Sequence, residues 1–255
     1  MLVCKTVNGD TLKNSIEDVK RLFPLVIKRT WFPLLVLHFG KEISLQLLNY
    51  AGLMVQREGR EDIGLLVAVV GTNFFFEILW SAVWSFAAIS ATRAALRDEP
   101  VFSSRSLTDL NQLLIEGVRS MAAVVFRLPL LLIPAAVEVL RLLFVPHVVI
   151  LDRVYQVGQA DALKRSRAFA RLGWLPLLIS TLLVFSTGIL IDSVTQGASG
   201  EAWLWQRPGA FLLSALLTLF INLVYEVFLV ALFLRLTVRI ADSGENHAHV
   251  QLETS

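Results

Sequence analysis

Two carboxylates stand where an apolar helix tolerates charge least. Glu77 is the one charge between Ile63 and Arg93, and Glu226 the one charge between Pro208 and Arg235. At the centre of a bilayer an ionisable side chain costs about 2.5–3.5 kcal/mol on insertion scales, so such a residue is expected to face a protein interior. Each follows an asparagine by four residues, Asn73 before Glu77 and Asn222 before Glu226, and each precedes a β-branched residue, Ile78 or Val227. Residues four apart share a helix face, so each pair can form one polar spot. The echo reads either as a parallel repeat of two hairpins or as chance in a Phe- and Leu-rich background. Between the two stretches lie charges of both signs, Arg127, Glu138 and Arg141, followed by His147. The simplest arrangement pairs the two glutamates with the two arginines. Such pairs can tie helices together, line a path for an ion, proton or polar substrate, or keep one carboxyl protonated by burial.

A second set of residues is basic. Lys164, Arg165, Arg167 and Arg171 run directly into an apolar segment marked by Trp174 and Pro176. Beside an anionic bilayer each cation contributes about 1 kcal/mol of attraction, so the four form a candidate lipid-headgroup surface. Fixing the topology of the chain is a compatible use of the same charges.

These residues need helices to place them. A bilayer core about 30 Å thick takes about 20 apolar residues. Segments Ile63–Ala95, Leu172–Ile191 and Pro208–Leu234 satisfy that length. Trp31–Val55 is a weaker candidate, interrupted by Lys41 and Glu42 beside Gly40, and a kinked or tilted helix is expected over it. Met121–Leu151 would be about 46 Å long as one helix, which is too long for a single crossing. It holds Pro129, Pro134 and Pro146. Proline removes a donor and clashes with the preceding turn, so two short helices are expected to meet near Pro134. Three connecting stretches, 14–28, 106–118 and 160–172, have apolar residues at helical spacing and suit the headgroup zone or a packed cytoplasmic layer. Ser106 is placed to cap the second of them.

Loop charge sets the orientation. Lys and Arg number six in 1–30, four in 93–119 and five in 153–171, against two in 56–62 and one in 195–209. Cytoplasmic loops carry such an excess. All three basic stretches share a compartment when 121–151 enters and returns as a hairpin. The expected fold is therefore all-α and polytopic, with about six membrane helical segments: two long hairpins around a short, proline-broken central one. A single membrane domain, 1–240, would include a cytoplasmic, partly interfacial helix within 1–30. The polar tail 241–255 would lack fixed structure, and both termini would be cytoplasmic.

Composition agrees with this class. The 255 residues are 55% hydrophobic and 17% charged, with mean hydropathy +0.65. Soluble domains carry about 25% charged residues. The net charge of +2 is too small to indicate nucleic acid as a partner. One cysteine, Cys4, excludes an internal disulfide and a cysteine-built metal site. No cleavable leader is expected, because the first 22 residues mix charges of both signs. Nucleophile-elbow, zinc-protease, phosphate-loop and dinucleotide signatures are not found. The four histidines, His38, His147, His247 and His249, do not have ligand spacing within one helix. No catalytic residue, metal or cofactor is expected.

Three runs also carry a resemblance: Leu142-Leu-Phe-Val-Pro-His-Val-Val-Ile-Leu-Asp152, Gln159-Ala-Asp-Ala-Leu-Lys-Arg-Ser166 and Arg171-Leu-Gly-Trp-Leu175. Together they resemble a bacterial and archaeal group of six-helix membrane proteins. That group includes the non-catalytic membrane domain of some glycerophosphodiester phosphodiesterases. Leu-Leu-Ile-Pro134-Ala-Ala stands where the group has an apolar Pro-Gly break, and Arg171-Leu-Gly-Trp where Arg-Gly-aromatic is usual. The likeness covers roughly residues 93–180. It implies a six-helix fold in a bacterial inner membrane and no phosphodiesterase activity, since no catalytic domain accompanies it in these 255 residues. The leading functional expectation is a non-enzymatic lipid-interacting or scaffold subunit of a membrane assembly. Its partners would be membrane lipids, anionic ones included, and companion proteins. The alternative is a small transporter or channel-like protein using the intramembrane Glu and Arg residues.

Overall fold

A computed structural model describes residues 3–57, 63–97, 106–127, 132–196 and 207–253. The side chains of 1–11, 51–63, Glu77, Arg97 and 241–255 are among those outside the described residues. In chain order the helices are α1 (Val3–Arg57), α2 (Ile63–Arg97), α3 (Ser106–Val125), α4 (Leu132–Leu142), α5 (Val145–Leu151), α6 (Arg153–Gln156), α7 (Ala162–Leu172), α8 (Trp174–Gln196) and α9 (Pro208–Glu253). Among the described residues all regular structure is helical, as the apolar periodicity requires.

Three stretches are long and apolar enough to cross a bilayer: Ile133–Leu151, Trp174–Ile191 and Pro208–Ile240. The two halves of α1, Leu12–Lys28 and Thr30–Leu48, add a fourth if they count as one bent span. These helices fit a membrane-embedded protein. Their outer faces agree: Leu183, Phe185 and Leu190 of α8 and Phe220 of α9 are exposed, an apolar surface of the kind that meets lipid.

Prolines set the breaks, at positions that differ from the sequence expectation. The α1 halves meet at 83° around residue 29. The ring of Pro33 is directed at the carbonyl of Arg29, four residues back, which accounts for a bend there. Gly40 continues the helix and lies against α2, where an added Cβ would sit 3.7 Å from Trp80. In the centre, the helices do not meet near Pro134. That proline occupies the third position of α4. First-turn N–H groups have no intrahelical acceptor, so its missing donor breaks nothing there. The chain instead leaves α3 after Val125, ahead of Pro129, and leaves α4 after Leu142. Pro146 lies four residues beyond Leu142, in the first turn of α5, and its ring excludes continuation of α4. The amphipathic stretch expected over 106–118 runs on to Val125 as one helix, α3.

Two packed regions hold these elements together. In the first, α1, α2 and α9 meet through Val26, Leu34, Ala88, Ala91, Leu223, Val227 and Ala231. Small residues at such contacts let backbones approach closely where no hydrophobic force separates protein from lipid. The second region joins α9 to the central helices. Phe169 of α7 packs on Phe233 of α9 with ring centroids 4.6 Å apart, and Phe144, between α4 and α5, lies 5.8 Å from Phe233. Cross-linking the two regions, Asp18 of α1 accepts a 2.5 Å hydrogen bond from Arg235 of α9. The helix bounds of α9 reach Glu253.

Gly173, between α7 and α8, is the tightest approach to this core. A Cβ there would lie 2.9 Å from Leu236 Cδ1, and Leu236 is fully buried. Overpacking of this kind costs about 1–3 kcal/mol. Gly173→Ala should therefore lower the thermal midpoint of the detergent-solubilised protein, read by differential scanning fluorimetry. Gly188→Ala, which meets nothing within 4 Å, should leave it unchanged or raise it.

Candidate functional site: a clasped basic helix and an intramembrane cavity

The basic helix α7 is held by carboxylates from three other places in the chain. Asp161 is its N-cap, accepting from Lys164 N at 3.0 Å. Without such a cap the first N–H groups of the helix would be unsatisfied. Arg119 of α3 donates to Asp161 at 2.8 Å and to both oxygens of Glu116 at 2.7 and 2.8 Å. The guanidinium holds the Asp161 carboxyl below the usual carboxylate range, and the two carboxylates raise Arg119 further. Tyr155, beside Glu116 at 3.3 Å, is raised by burial and by that carboxylate. Asp152 caps α6 through Val154 N and accepts from Arg165 Nε at 2.8 Å. Ser166 donates to the carbonyl of Arg141 at 2.8 Å.

Glu138 of α4 is the hub. Its carboxylate is fully buried. Arg167 Nε and Nη2 reach one oxygen at 2.9 and 2.6 Å. Arg127, in the turn after α3, bonds the other oxygen, and Arg141 lies 3.8 Å from it. Glu226 does not pair with Arg127 or Arg141 as expected. Both arginines turn to Glu138, because it lies on the same hairpin and within reach of each. Glu77 lies outside the described residues.

Glu226 lies apart from the clasp, beside the Ser85 hydroxyl. It is buried in α9, 4.0 Å from His147 Nε2 of α5. With Asn222 one turn back, it lines a cavity of about 700 Å³ that also includes His38, Lys41, Ser85 and Ser120. Asn73 is half-buried on α2 and does not line this cavity. The candidate residues thus divide in two. Arg127, Glu138 and Arg141 join the clasp; Asn222 and Glu226 join the cavity.

Of the four headgroup candidates, Arg165 and Arg167 are engaged by Asp152 and Glu138. Lys164 and Arg171 are exposed. Arg171 and Arg141 border a groove of about 430 Å³ whose floor is Val137, Leu140, Leu177 and Leu178, with Trp174 at its side. A larger, more polar cleft of about 1170 Å³ lies between α2, α3, α5 and α6, with Arg93, Asp109, Arg153 and Tyr155 on its walls.

Sequence reasoning missed Glu116, Arg119, Asp152 and Asp161 as clasp members. Only Asp152 and Asp161 carried a local signal: each is an acidic residue directly before a short helix. No protein family, curated protein or solved structure matches the chain.

Removing the hub carboxylate leaves three guanidiniums crowded around an apolar space. Losing one partner of a buried ion pair costs about 3–5 kcal/mol. Glu138→Ala should lower the thermal midpoint well beyond the effect of Glu17→Ala, a surface control. Adding Arg167→Leu to Glu138→Ala should recover part of the loss, read in the same melting assay.

Proposed function

We propose that this chain is a non-enzymatic integral membrane protein that binds anionic phospholipid at the α4–α7–α8 groove and serves a membrane assembly as a lipid-interacting accessory subunit. One observation carries this reading: the charge imbalance around Glu138. A guanidinium does not deprotonate in proteins. One carboxylate therefore faces Arg127, Arg141 and Arg167, and two positive charges remain uncompensated beside it. Arg171 adds a third at the groove. An anionic phosphate accepts bidentate hydrogen bonds from arginine, and the Val137, Leu140, Leu177 and Leu178 floor suits an acyl chain. Trp174, more than half exposed at the start of α8, is the residue type that favours the headgroup level.

The same cluster supports a shallow central hairpin. Arg127 and Arg141 are about a third or more exposed, which is unfavourable in hydrocarbon and favourable among headgroups. With α4 at that level, α3 to α5 would enter and leave by one side. The basic stretches would then share the cytoplasm, with both termini, in a six-segment protein of a bacterial inner membrane. That topology and the six-helix group resemblance go together in this proposal.

Two measurements test it. Arg141→Gln/Arg171→Gln should reduce co-purifying anionic phospholipid several-fold, by thin-layer chromatography or mass spectrometry of extracts, with helix content unchanged. An equal lipid yield sinks the reading. For topology, single cysteines at Gln159 and Gly200 in a Cys4→Ser background should label from opposite sides of the membrane. Gln159 is preferred to Gly158, whose φ of 74° strains any side chain. Labelling of both from one side excludes the shallow hairpin.

A further inference from the structure

The cavity between α1, α2 and α9 on one side and α3 to α5 on the other contains polar atoms that the protein itself does not satisfy. His147 is about 1% exposed, and neither of its ring nitrogens has a hydrogen-bond partner among the described residues. The carbonyl of Leu143, one turn back, lies beside the ring without the alignment of a hydrogen bond. Glu226 is 4.0 Å away, beyond hydrogen-bond reach. His38 is equally buried and its Nε2 is also unpartnered. Glu42 approaches that nitrogen only to 3.8 Å. Leaving a buried donor or acceptor unmade costs about 1–3 kcal/mol, so the two nitrogens of His147 and the Nε2 of His38 at one cavity call for an occupant.

The lining selects the chemistry of that occupant. Its ionisable groups are one base, Lys41, and one buried acid, Glu226, so the lining has no cluster of like charges that would demand a charged ligand. A neutral imidazole offers one donor and one acceptor, a carboxylate only accepts, the Ser81 hydroxyl does both, and Ser120, which donates to the Glu116 carbonyl at 2.7 Å, is left to accept. An ammonium head only donates and would face Lys41. A phosphate or carboxylate head only accepts and would face Glu226. A hydroxyl donates to the carboxylate and accepts from an imidazole N–H at once. The remaining wall, including Met121, Val124, Val139, Leu142 and Leu229, is apolar. A volume of about 700 Å³ lies within the usual range for small-molecule sites.

We infer that the cavity bounded by His38, His147 and Glu226 binds a neutral, hydroxyl-bearing lipid of the monoacylglycerol type. The glycerol hydroxyls lie between Glu226 and the two imidazoles, and the acyl chain lies along Met121, Val124, Val139 and Leu142. The inference rests on the membrane placement of the chain, not on the Arg141–Arg171 groove. The two fail separately.

The test uses the full chain in phosphatidylcholine nanodiscs and a monoacylglycerol carrying a diazirine in its acyl chain and a terminal alkyne. After photolysis, peptide mass spectrometry should place adducts on α3 and α4 at the cavity wall. Unlabelled monooleoylglycerol should compete, whereas oleate and oleylamine should not. His147→Phe keeps the ring and removes both nitrogens. It should lower cavity labelling about tenfold while melting at or above the parent temperature. Glu226→Gln should lower it as well, and Arg141→Gln/Arg171→Gln should leave it intact. Adducts spread over the exposed face of α8, equal competition by oleate, or unchanged labelling of His147→Phe would each overturn the inference. The last result means that the imidazoles meet water alone. If Glu226→Gln fails to fold, His147→Phe and the competition series still decide the question.

Discussion

The Glu138 carboxylate fixes the centre of the molecule. It is the one buried point at which the turn after α3, the helix α4 and the basic helix α7 all converge. Sharing an anion lets α7 turn its apolar face inward onto α9 while its charges stay at the rim. Asp152 and Asp161 extend the same logic to the two ends of the segment. Each satisfies a helix N-terminus and an arginine at once, so that capping and docking of α6 and α7 are one event.

The long helices follow a different rule. Where α1, α2 and α9 cross, alanines at 88, 91 and 231 are buried almost completely. Closeness there comes from small side chains, and stability from dispersion contacts over the length of the helices. That part of the fold can be almost featureless in charge and still be specific, since contacts such as Gly40 against Trp80 fix which faces meet. Buried polar groups there include Thr30, Ser90 and Thr92, of which Thr30 and Thr92 bond a carbonyl of their own helix, and Glu226, where the central helices press against it.

Much of the helical framework was legible from hydropathy alone. The expected Leu172–Ile191 and Pro208–Leu234 overlap Trp174–Ile191 and Pro208–Ile240, the second ending six residues later than expected, because an uninterrupted apolar run has one physical reading in lipid. The position of the central breaks was not legible in the same way. Proline marks a break only when its position in the helix is known, and Pro134 lies in a first turn where it is harmless. The partners of the arginines were less legible still. Arg141 is three residues from the carboxylate, a spacing on one helix face that the sequence shows, but Arg127 and Arg167 are 11 and 29 residues away and are brought to it by chain reversals that no local pattern encodes. Glu226 stood out by its apolar surroundings, yet its neighbour His147 came from a helix whose seven residues gave no periodicity to read.

The bend at Arg29 gives the protein an elbow. The arm before it, Leu12–Lys28, is fastened to α9 by the Asp18–Arg235 bond, and Glu226 lies nine residues up the same helix, about 13 Å along its axis. A partner that tugged on the arm would therefore pull on the rod that carries the buried carboxylate. In mechanical terms, the amino-terminal arm is a handle on the cavity.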